Sequence, residues 1–228
     1  MSSPKVIVLA IDGPAGAGKS TIAKRLAQRL NFLYIDTGAM YRAVGLWALR
    51  TGTSLTDAHR LEQLATSASI DLFDGGTRVR LNNEDITELI RTQELSDAAS
   101  KVSAVPGVRR ALVDKQREMG ARESVVMEGR DIGTNVFPQA QVKIYLDASV
   151  EVRAGRRLGD LQAKGQPAVL EQIEREIRER DMRDSTRGEA PLRQAPDAEY
   201  LDTSAMSIEQ VEEAILRIYR ERTANGKE

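Results

Sequence analysis

The 228-residue sequence contains no cysteine and a single histidine, His59. Without cysteine there is no disulfide, no thiolate nucleophile and no thiolate metal site, which fits a reducing compartment. A metal site built from several imidazoles is excluded, and a Ser-His-carboxylate triad has one candidate base. Because His59 lies in a polar segment of helical pattern, we expect it to be a solvated surface residue.

The sequence also lacks an excess of either charge and any long apolar run. The 33 basic and 34 acidic residues give a formal net charge of -1, so an anionic ligand must be met by a local cluster of cations. No stretch is long enough to cross a bilayer, and Asp12 interrupts the N-terminal apolar run, which argues against a signal peptide. We expect a soluble, cytoplasmic protein that binds neither a nucleic-acid polymer nor a membrane and is a monomer.

The most informative segment runs from Gly13 to Ser20 and fits the pattern G-x-x-x-x-G-K-[ST]. An apolar run at 6–11 predicts a buried strand before it, and apolar residues at helical spacing predict a helix after it. In that context the glycines turn backbone N–H groups inward, and the helix N-terminus favours a phosphate. We expect Lys19 to reach the β- and γ-phosphates of a nucleoside triphosphate and Ser20 to ligate Mg²⁺. The alternative is a glycine-rich turn that only joins a strand to a helix.

Strands and helices alternate along most of the chain, which predicts one α/β domain over 1–228, a parallel sheet covered by helices on both faces. Residues 70–87 instead predict a hairpin with a Gly75-Gly76 turn and a short third strand. Together with a helical segment at 93–102, we interpret about 70–103 as an inserted lobe on the acceptor side. The helix after Ser149 is expected to end at Gly159, and about 155–170 is interpreted as a short lid between two helices. The last few residues are expected to be disordered.

Candidate acceptor residues follow the ends of the predicted strands, where ligands bind in open α/β sheets. Thr37 and Arg42 follow the second strand, and Arg130 and Asp131 follow the third. Arg109 lies in the first turn of a helix that begins at Pro106. For Thr37 the alternative is a simple helix cap.

A second set of candidates lies on a long charged helix predicted from about 169 to 184. Arg180, Asp184 and Arg187 are spaced i, i+4 and i+7, which places them on one face if the helix continues. The alternative is a solvated helix stabilised by four (i, i+4) pairs, which are Glu171-Arg175, Glu174-Arg178, Glu176-Arg180 and Glu179-Arg183. Arg187 does not fit that alternative, because its i-4 neighbour is another cation, Arg183. For the cluster Arg153, Arg156 and Arg157 the two interpretations are again a functional role and a solvated helix.

These residue types suit phosphoryl transfer to a phosphate acceptor. Such an acceptor oxygen is already anionic at neutral pH, so the reaction needs no strong general base and no catalytic histidine. It needs in-line positioning, Mg²⁺ and several fixed cations. Arginine is apt because its planar fork grips phosphate oxygens in pairs and stays protonated.

Several motifs together resemble the bacterial type of cytidylate kinase, over nearly the whole chain. They are IDGPAGAGKST at 11–21, YIDTGAMYR at 34–42, IRTQE at 90–94, EGRDIGT at 128–134, VKIYLDA at 142–148 and RDMRDSTR at 180–187. The resemblance implies a P-loop nucleoside monophosphate kinase fold that transfers the γ-phosphate of ATP to CMP or dCMP with Mg²⁺. Family members also occur with Ser in place of Thr37 and Asp in place of Glu128.

Residue roles carried over from this resemblance fall into three groups. Lys19, Arg130 and Arg157 are implied to be catalytic. ATP is implied to contact Arg153, which is placed against the donor base, and the loop residues Gly13, Pro14, Ala15, Gly16, Ala17, Gly18, Lys19, Ser20 and Thr21. The cytidine nucleotide is implied to contact Thr37, Arg42, Arg109, Arg130, Asp131, Arg180, Asp184 and Arg187.

Two other functions stay open at this point. Another small-molecule P-loop kinase, acting on shikimate or a sugar acid, needs a hydroxyl nucleophile and usually a carboxylate base. A nucleotide-dependent binding module is the other alternative. The sequence has no Asn-Lys-x-Asp guanine-reading motif, and an arginine-rich acceptor side has no evident purpose in a switch.

Overall fold

The computed structural model describes residues 6–163 and 165–224, so the last four residues, expected to be disordered, and residue 164 of the predicted lid lie outside it. The strands are β1 (Val8–Asp12), β2 (Leu33–Asp36), β3 (Ile70–Phe73), β4 (Arg78–Leu81), β5 (Glu84–Asp85), β6 (Val125–Gly129), β7 (Val142–Asp147) and β8 (Glu199–Asp202). The α-helices are α1 (Lys19–Leu30), α2 (Thr37–Arg50), α3 (Ala58–Ser67), α4 (Gln93–Val102), α5 (Pro106–Gly120), α6 (Val150–Ala163), α7 (Leu170–Thr186) and α8 (Ile208–Ala224). A π-helical turn spans Ile132–Val136.

Five parallel strands form the central sheet, in the order β2-β6-β1-β7-β8. Successive side chains of β1 point to opposite faces of the sheet, because the strand is pleated. Leu9 and Ile11 pack in one apolar cluster with residues of α1 and α8, whereas Val8 and Ala10 pack in another with Val113 of α5. The predicted sheet with helices on both faces is thus confirmed, and the carboxyl ends of β1, β2 and β6 meet at one edge.

Two helix starts at this edge differ in how their first N–H groups are satisfied. Asp36 caps α2, because its Oδ1 accepts a hydrogen bond from Ala39 N at 3.0 Å. Thr37, for which a simple helix cap was the alternative, instead donates from Oγ1 to the carbonyl oxygen of Glu128 at 2.7 Å. Helix α1 has no side-chain cap and follows Gly18, whose φ of +93° is in the left-handed region. The uncapped N–H groups of α1 are therefore free to bind an anion.

The predicted hairpin and third strand form a small antiparallel sheet in the order β3-β4-β5. This sheet is not an independent lobe, because Ile70, Val79 and Leu81 share one apolar cluster with α2, α3, α4 and α5. Its Gly75-Gly76 turn also contacts the central sheet. Tyr34 N in β2 donates to Gly75 O at 3.3 Å, and a Cβ on Gly76 would lie 1.7 Å from Tyr34 O. The turn can therefore dock on β2 only with glycine at 76.

The predicted lid segment is mostly helical, and the expected helix end at Gly159 is wrong. Helix α6 continues through Gly159 to Ala163, since one glycine inside a helix costs only about 1 kcal/mol. Helices α6 and α7 form a helical hairpin, and Ala154, Ile173 and Ile177 are buried between them. Whether this hairpin moves as a lid stays a prediction.

Most of the ion pairs expected along α7 do not form. Of the four predicted (i, i+4) pairs, only Glu174 and Arg178 have an N···O distance within 4.0 Å in the described structure, at 3.6 Å. Arg180 lies 4.0 Å from Asp184. The alternative of a plain solvated helix therefore does not account for Arg180. No helix within 6–163 or 165–224 combines the length and apolar character needed to cross a bilayer.

Candidate functional site

A cleft of about 710 Å³ opens at the carboxyl edge of the sheet, a size typical of small-molecule sites. It brings the phosphate loop and the candidate acceptor residues together. The predicted site residues that line it are Ala15, Gly16, Ala17, Gly18, Lys19, Ser20, Thr21, Thr37, Arg42, Arg109, Arg130, Asp131, Arg157, Arg180, Asp184 and Arg187. Gly13, Pro14 and Arg153 are not among the lining residues.

The phosphate loop is held tightly at its start. A Cβ on Gly13 would lie 1.9 Å from Leu146 O, so glycine is required for the loop to pass β7. Lys19 is 5% exposed, and its Nζ donates to Pro14 O at 2.6 Å. Burial, and next the charge of Arg130, lower the pKa of Lys19 from 10.5 to about 7. An anion in the loop would offset both effects.

A hydroxyl and a buried carboxylate meet beside the loop. Ser20 Oγ donates to Glu128 Oε2 at 3.0 Å, and the Tyr34 hydroxyl donates to Glu128 Oε1. Burial, followed by the charge of Asp36, raises the pKa of Glu128 above its usual range. A cation at this point would stabilise the ionised carboxylate, and hydroxyl and carboxylate oxygens are the ligands that Mg²⁺ prefers. The residues present thus fit a magnesium ion at Ser20.

Asp12 fixes the segment that follows β6. Its two carboxylate oxygens accept hydrogen bonds from Ile132 N at 2.8 Å and Gly133 N at 2.7 Å. Burial raises the pKa of Asp12 to about 6. Because Asp12 ends β1, this contact places Arg130 and Asp131 relative to the phosphate loop.

Asp131 lies between two buried arginines. Its Oδ2 is 2.5 Å from Arg109 Nη2, and its Oδ1 is 3.4 Å from Arg187 Nη2. The side chains of Arg109, Asp131 and Arg187 are 3%, 7% and 5% exposed. Arg187 therefore has a carboxylate partner from another element, which explains why it tolerates Arg183 as its i-4 neighbour.

Asp184 and Asp36 hold the arginines on the other side of the cleft. Asp184 Oδ2 accepts from Arg130 Nε at 2.9 Å, and Asp36 Oδ2 accepts from Arg42 Nη2 at 2.7 Å. Burial opposes ionisation of Asp184, yet the charge of Arg130 holds the pKa of Asp184 below its usual range. Both carboxylates are therefore ionised and orient guanidinium groups toward the cleft.

Two guanidinium nitrogens in this cleft are buried without a hydrogen-bond partner in the described structure, Arg109 Nε and Arg180 Nε. A buried donor left unpaired costs about 1–3 kcal/mol. Burial, and next the charge of Arg130, lower the pKa of Arg180 from 12.5 to about 10. The site is therefore short of acceptors and anionic charge, as expected where a ligand supplies both.

The three arginines of α6 have different surroundings. Arg157 Nη2 donates to Gln93 Oε1 at the mouth of the cleft. Arg156 donates to Thr203 O at 2.8 Å and to Ala17 O at 3.5 Å. The buried Arg153 guanidinium is turned to the protein rather than to the cleft, as described below.

Some residues that line or support the cleft carried no signal in the sequence. Asp12 and Tyr34 act through partners 120 and 94 positions away. The stretch from Thr203 to Val211 lines the cleft beside Arg156 and the phosphate loop. Its only sequence feature is the capping box at Ser207, which forms: Gln210 N donates to Ser207 Oγ at 3.2 Å, and Ser207 N donates to Gln210 Oε1 at 2.8 Å.

Comparison with known proteins gives a consistent result. A family model described as cytidylate kinase matches residues 9–221. The cytidylate kinase of Solibacter usitatus is 62% identical over 98% of this chain and 97% of its own length. That of Geobacillus kaustophilus is 49% identical over 95% of this chain and 97% of its own length.

Two further comparisons concern a longer protein and a solved structure of low sequence identity. A bifunctional pantoate ligase/cytidylate kinase from a Synechococcus strain is 48% identical over 96% of this chain, which spans 42% of that longer protein. A shikimate kinase from Acinetobacter baumannii, solved with shikimate, is 18% identical, with 98% of this chain and 97% of that chain covered and a TM-score of 0.47. A likeness of that extent does not bear on the acceptor.

Proposed function

The chain belongs to the cytidylate kinase family and transfers the γ-phosphate of ATP to CMP or dCMP, and from this premise we propose how its cleft binds and orients the two substrates. One observation carries the proposal. The phosphate loop and five acceptor-side arginines line the same cleft, and two of those arginines have a buried Nε without a hydrogen-bond partner among the described residues.

The donor half is the phosphate loop. The inward N–H groups of Ala15 to Thr21 and the uncapped start of α1 bind the triphosphate of ATP. Lys19 moves its ammonium group from Pro14 O to the β- and γ-phosphate oxygens, where its charge is better compensated. Gly13 and Pro14 shape the loop without lining the cleft.

Ser20 and Glu128 are the residues that would hold magnesium. Ser20 Oγ supplies a direct ligand, and Glu128 orients it and adds negative charge 3.0 Å away. A bound Mg²⁺ neutralises charge on the β- and γ-phosphates. Tyr34, through its hydrogen bond to Glu128, keeps the carboxylate aimed at Ser20.

The acceptor half divides into a phosphate side and a nucleoside side. Arg42, Arg130 and Arg180 grip the phosphate of CMP. All three line the cleft, the charges of Arg130 and Arg180 act on Lys19, and the charge of Arg42 acts on Arg180. Cytosine offers an N4 amine donor beside the N3 and O2 acceptors. Carboxylates and guanidiniums match that pattern, so we assign recognition of the nucleoside to Thr37, Arg109, Asp131, Asp184 and Arg187.

Transfer itself requires no side-chain base. A phosphate oxygen of CMP attacks the γ-phosphorus, the bond from that phosphorus to the β,γ-bridging oxygen breaks, and ADP leaves. Lys19, Arg130 and Arg157 stabilise charge on the transferring group. For this, Arg157 must exchange Gln93 for phosphate oxygens when both substrates are bound.

The test is ADP release from ATP and Mg²⁺ with a panel of acceptors: CMP, dCMP, UMP, AMP, shikimate and gluconate. We expect stimulation by CMP and dCMP above the rate without acceptor. No stimulation by either cytidine nucleotide would refute the proposal. Stimulation by shikimate or gluconate alone would favour the other small-molecule kinases instead.

We also propose that the enzyme acts as a monomer in the cytoplasm, where ATP and CMP occur. All of the proposed substrate contacts come from one chain. Light scattering at micromolar concentration tests this, and a stable dimer would contradict it.

A further inference from the structure

Arg153 is placed where it cannot lie against a nucleotide base and bind its present partners at once. Its side chain is 5% exposed. Nε donates to Ala148 O at 2.8 Å, Nη1 donates to Ala15 O at 3.1 Å, and Nη1 lies 2.7 Å from Asp181 Oδ2. These three contacts join the loop before α6, the phosphate loop and α7.

The phosphate loop also packs closely against the Arg153 side chain. A Cβ on Gly16, with φ at +81°, would lie 3.1 Å from Arg153 Cβ. The phosphate loop therefore turns directly over the Arg153 side chain. With Ala15 O bonded outward to Arg153, the loop is held with this carbonyl away from the place of the phosphates.

One turn of helix α7 forms ion pairs with both the donor side and the acceptor side of the cleft. Asp181 and Asp184 are spaced i, i+3 and so lie on the same side of α7. Asp181 pairs with Arg153 on the donor side, whereas Asp184 pairs with Arg130 on the acceptor side, at 2.9 Å. The spacing between the phosphate loop and Arg130 is therefore set by this turn.

We propose that Arg153 and Asp181 are positioning residues that hold the phosphate loop at a fixed distance from the acceptor arginines, without touching ATP. The proposal rests on the proposed function, because it assigns the loop to the ATP phosphates. Its energetic basis is the burial of Arg153: the Arg153 side chain is 5% exposed and that of Asp181 24%, so the removal of Asp181 leaves a buried guanidinium charge without compensation. A small shift of the loop then costs rate, because in-line transfer depends on geometry.

The experiment is a double-mutant cycle on ATP binding, measured by titration calorimetry without an acceptor. Arg153→Met, Asp181→Asn and the double variant are compared with the unchanged protein. We expect each single variant to weaken ATP binding about tenfold, and the double variant to be weakened to the same extent as either single one. The preference for ATP over GTP should stay unchanged, since no base contact is lost.

Turnover provides a second readout. We expect kcat at saturating ATP and CMP to fall in both single variants, because a displaced loop stays displaced when both sites are filled. A residue that only binds the base would raise KM for ATP and leave kcat unchanged. Glu174→Gln and Arg178→Met are the controls and should behave like the unchanged protein. They lie at another ion pair of the same helix, with side chains 27% and 56% exposed.

Three results would overturn the assignment. They are additive effects in the cycle, normal ATP binding by Asp181→Asn beside weak binding by Arg153→Met, or a changed ATP to GTP preference. If a single variant does not fold, Arg153→Met with Asp181→Leu replaces the pair by apolar side chains of similar reach. ATP binding by that folded variant at the original affinity would also refute the role. Because no acceptor is present in the cycle, a failure of the unchanged protein to phosphorylate CMP is a separate result.

Discussion

Replacing Arg180 by methionine should stabilise the free protein while weakening its affinity for CMP. Arg180 lies on α7, and its buried Nε has no hydrogen-bond partner within 6–163 or 165–224. Burial and the charge of Arg130 lower the pKa of Arg180 from 12.5 to about 10. The folded protein therefore holds this proton less tightly than the unfolded chain, and at neutral pH the charge opposes folding.

The size of the effect follows from that pKa. Each tenfold loss of proton affinity corresponds to roughly 1.4 kcal/mol, so the lowered pKa of Arg180 costs about 3 kcal/mol as an upper bound. The side chain is 23% exposed, and water at that exposed part reduces the cost. Methionine keeps the apolar stem and its packing. We expect a net gain of about 1 kcal/mol in the free energy of unfolding.

The affinity for CMP should change in the opposite direction. A hydrogen bond from a charged group contributes about 1.5–3 kcal/mol, which corresponds to roughly 10–100-fold weaker binding when it is lost. Urea denaturation at pH 7 measures the first effect and titration calorimetry with CMP the second. Arg178→Met, an exposed arginine two positions earlier on the same helix, is the control. Destabilisation by more than about 1 kcal/mol, or unchanged CMP affinity, would refute the reasoning.

Three other predictions follow from the site. Lys19→Met should lower turnover by roughly 10²–10³-fold with the fold intact, because charge stabilisation is lost; near-normal steady-state turnover would contradict the donor assignment. Arg187→Met should raise KM for CMP far more than KM for ATP, and equal effects on both would return Arg187 to a structural role. Since burial raises the pKa of Asp12 to about 6 from 3.8, its stabilising contribution is complete below pH 4 and is lost as the pH rises through 6. Denaturation between pH 4 and 6.5 should therefore show a pH dependence smaller by roughly 2 kcal/mol in Asp12→Asn, whereas identical profiles would contradict this pKa.

The parts of the fold that were predictable are those with a local cause. The phosphate loop combines glycine positions, a lysine and a hydroxyl within eight residues, and the Gly75-Gly76 turn lies between two alternating strands. Strand ends in a parallel sheet meet at one edge, so the sequence predicts that Thr37, Arg42, Arg130 and Asp131 lie close together. The structure confirms this arrangement.

The parts that were not predictable depend on contacts between distant segments. Spacing on α7 suggested ion pairs within the helix, but Asp184 and Asp181 pair with arginines of other elements, which are buried and so compete better for a carboxylate. The sequence predicts an end for α6 at Gly159, whereas the helix continues to Ala163, because its packing against α7 leaves no local trace in the sequence. Asp12 gave no signal either, since backbone N–H groups 120 residues away are its partners.

The hairpin turn at Gly75-Gly76 has a consequence for the solubility of the protein. Strand β2 is an edge strand, and an open edge offers unpaired backbone groups to a strand of another molecule. The turn contacts the middle of this edge through Tyr34, with no room for a side chain at Gly76. A residue larger than glycine there would lift the turn and leave β2 open to pairing between molecules, so the inserted sheet protects the kinase against aggregation.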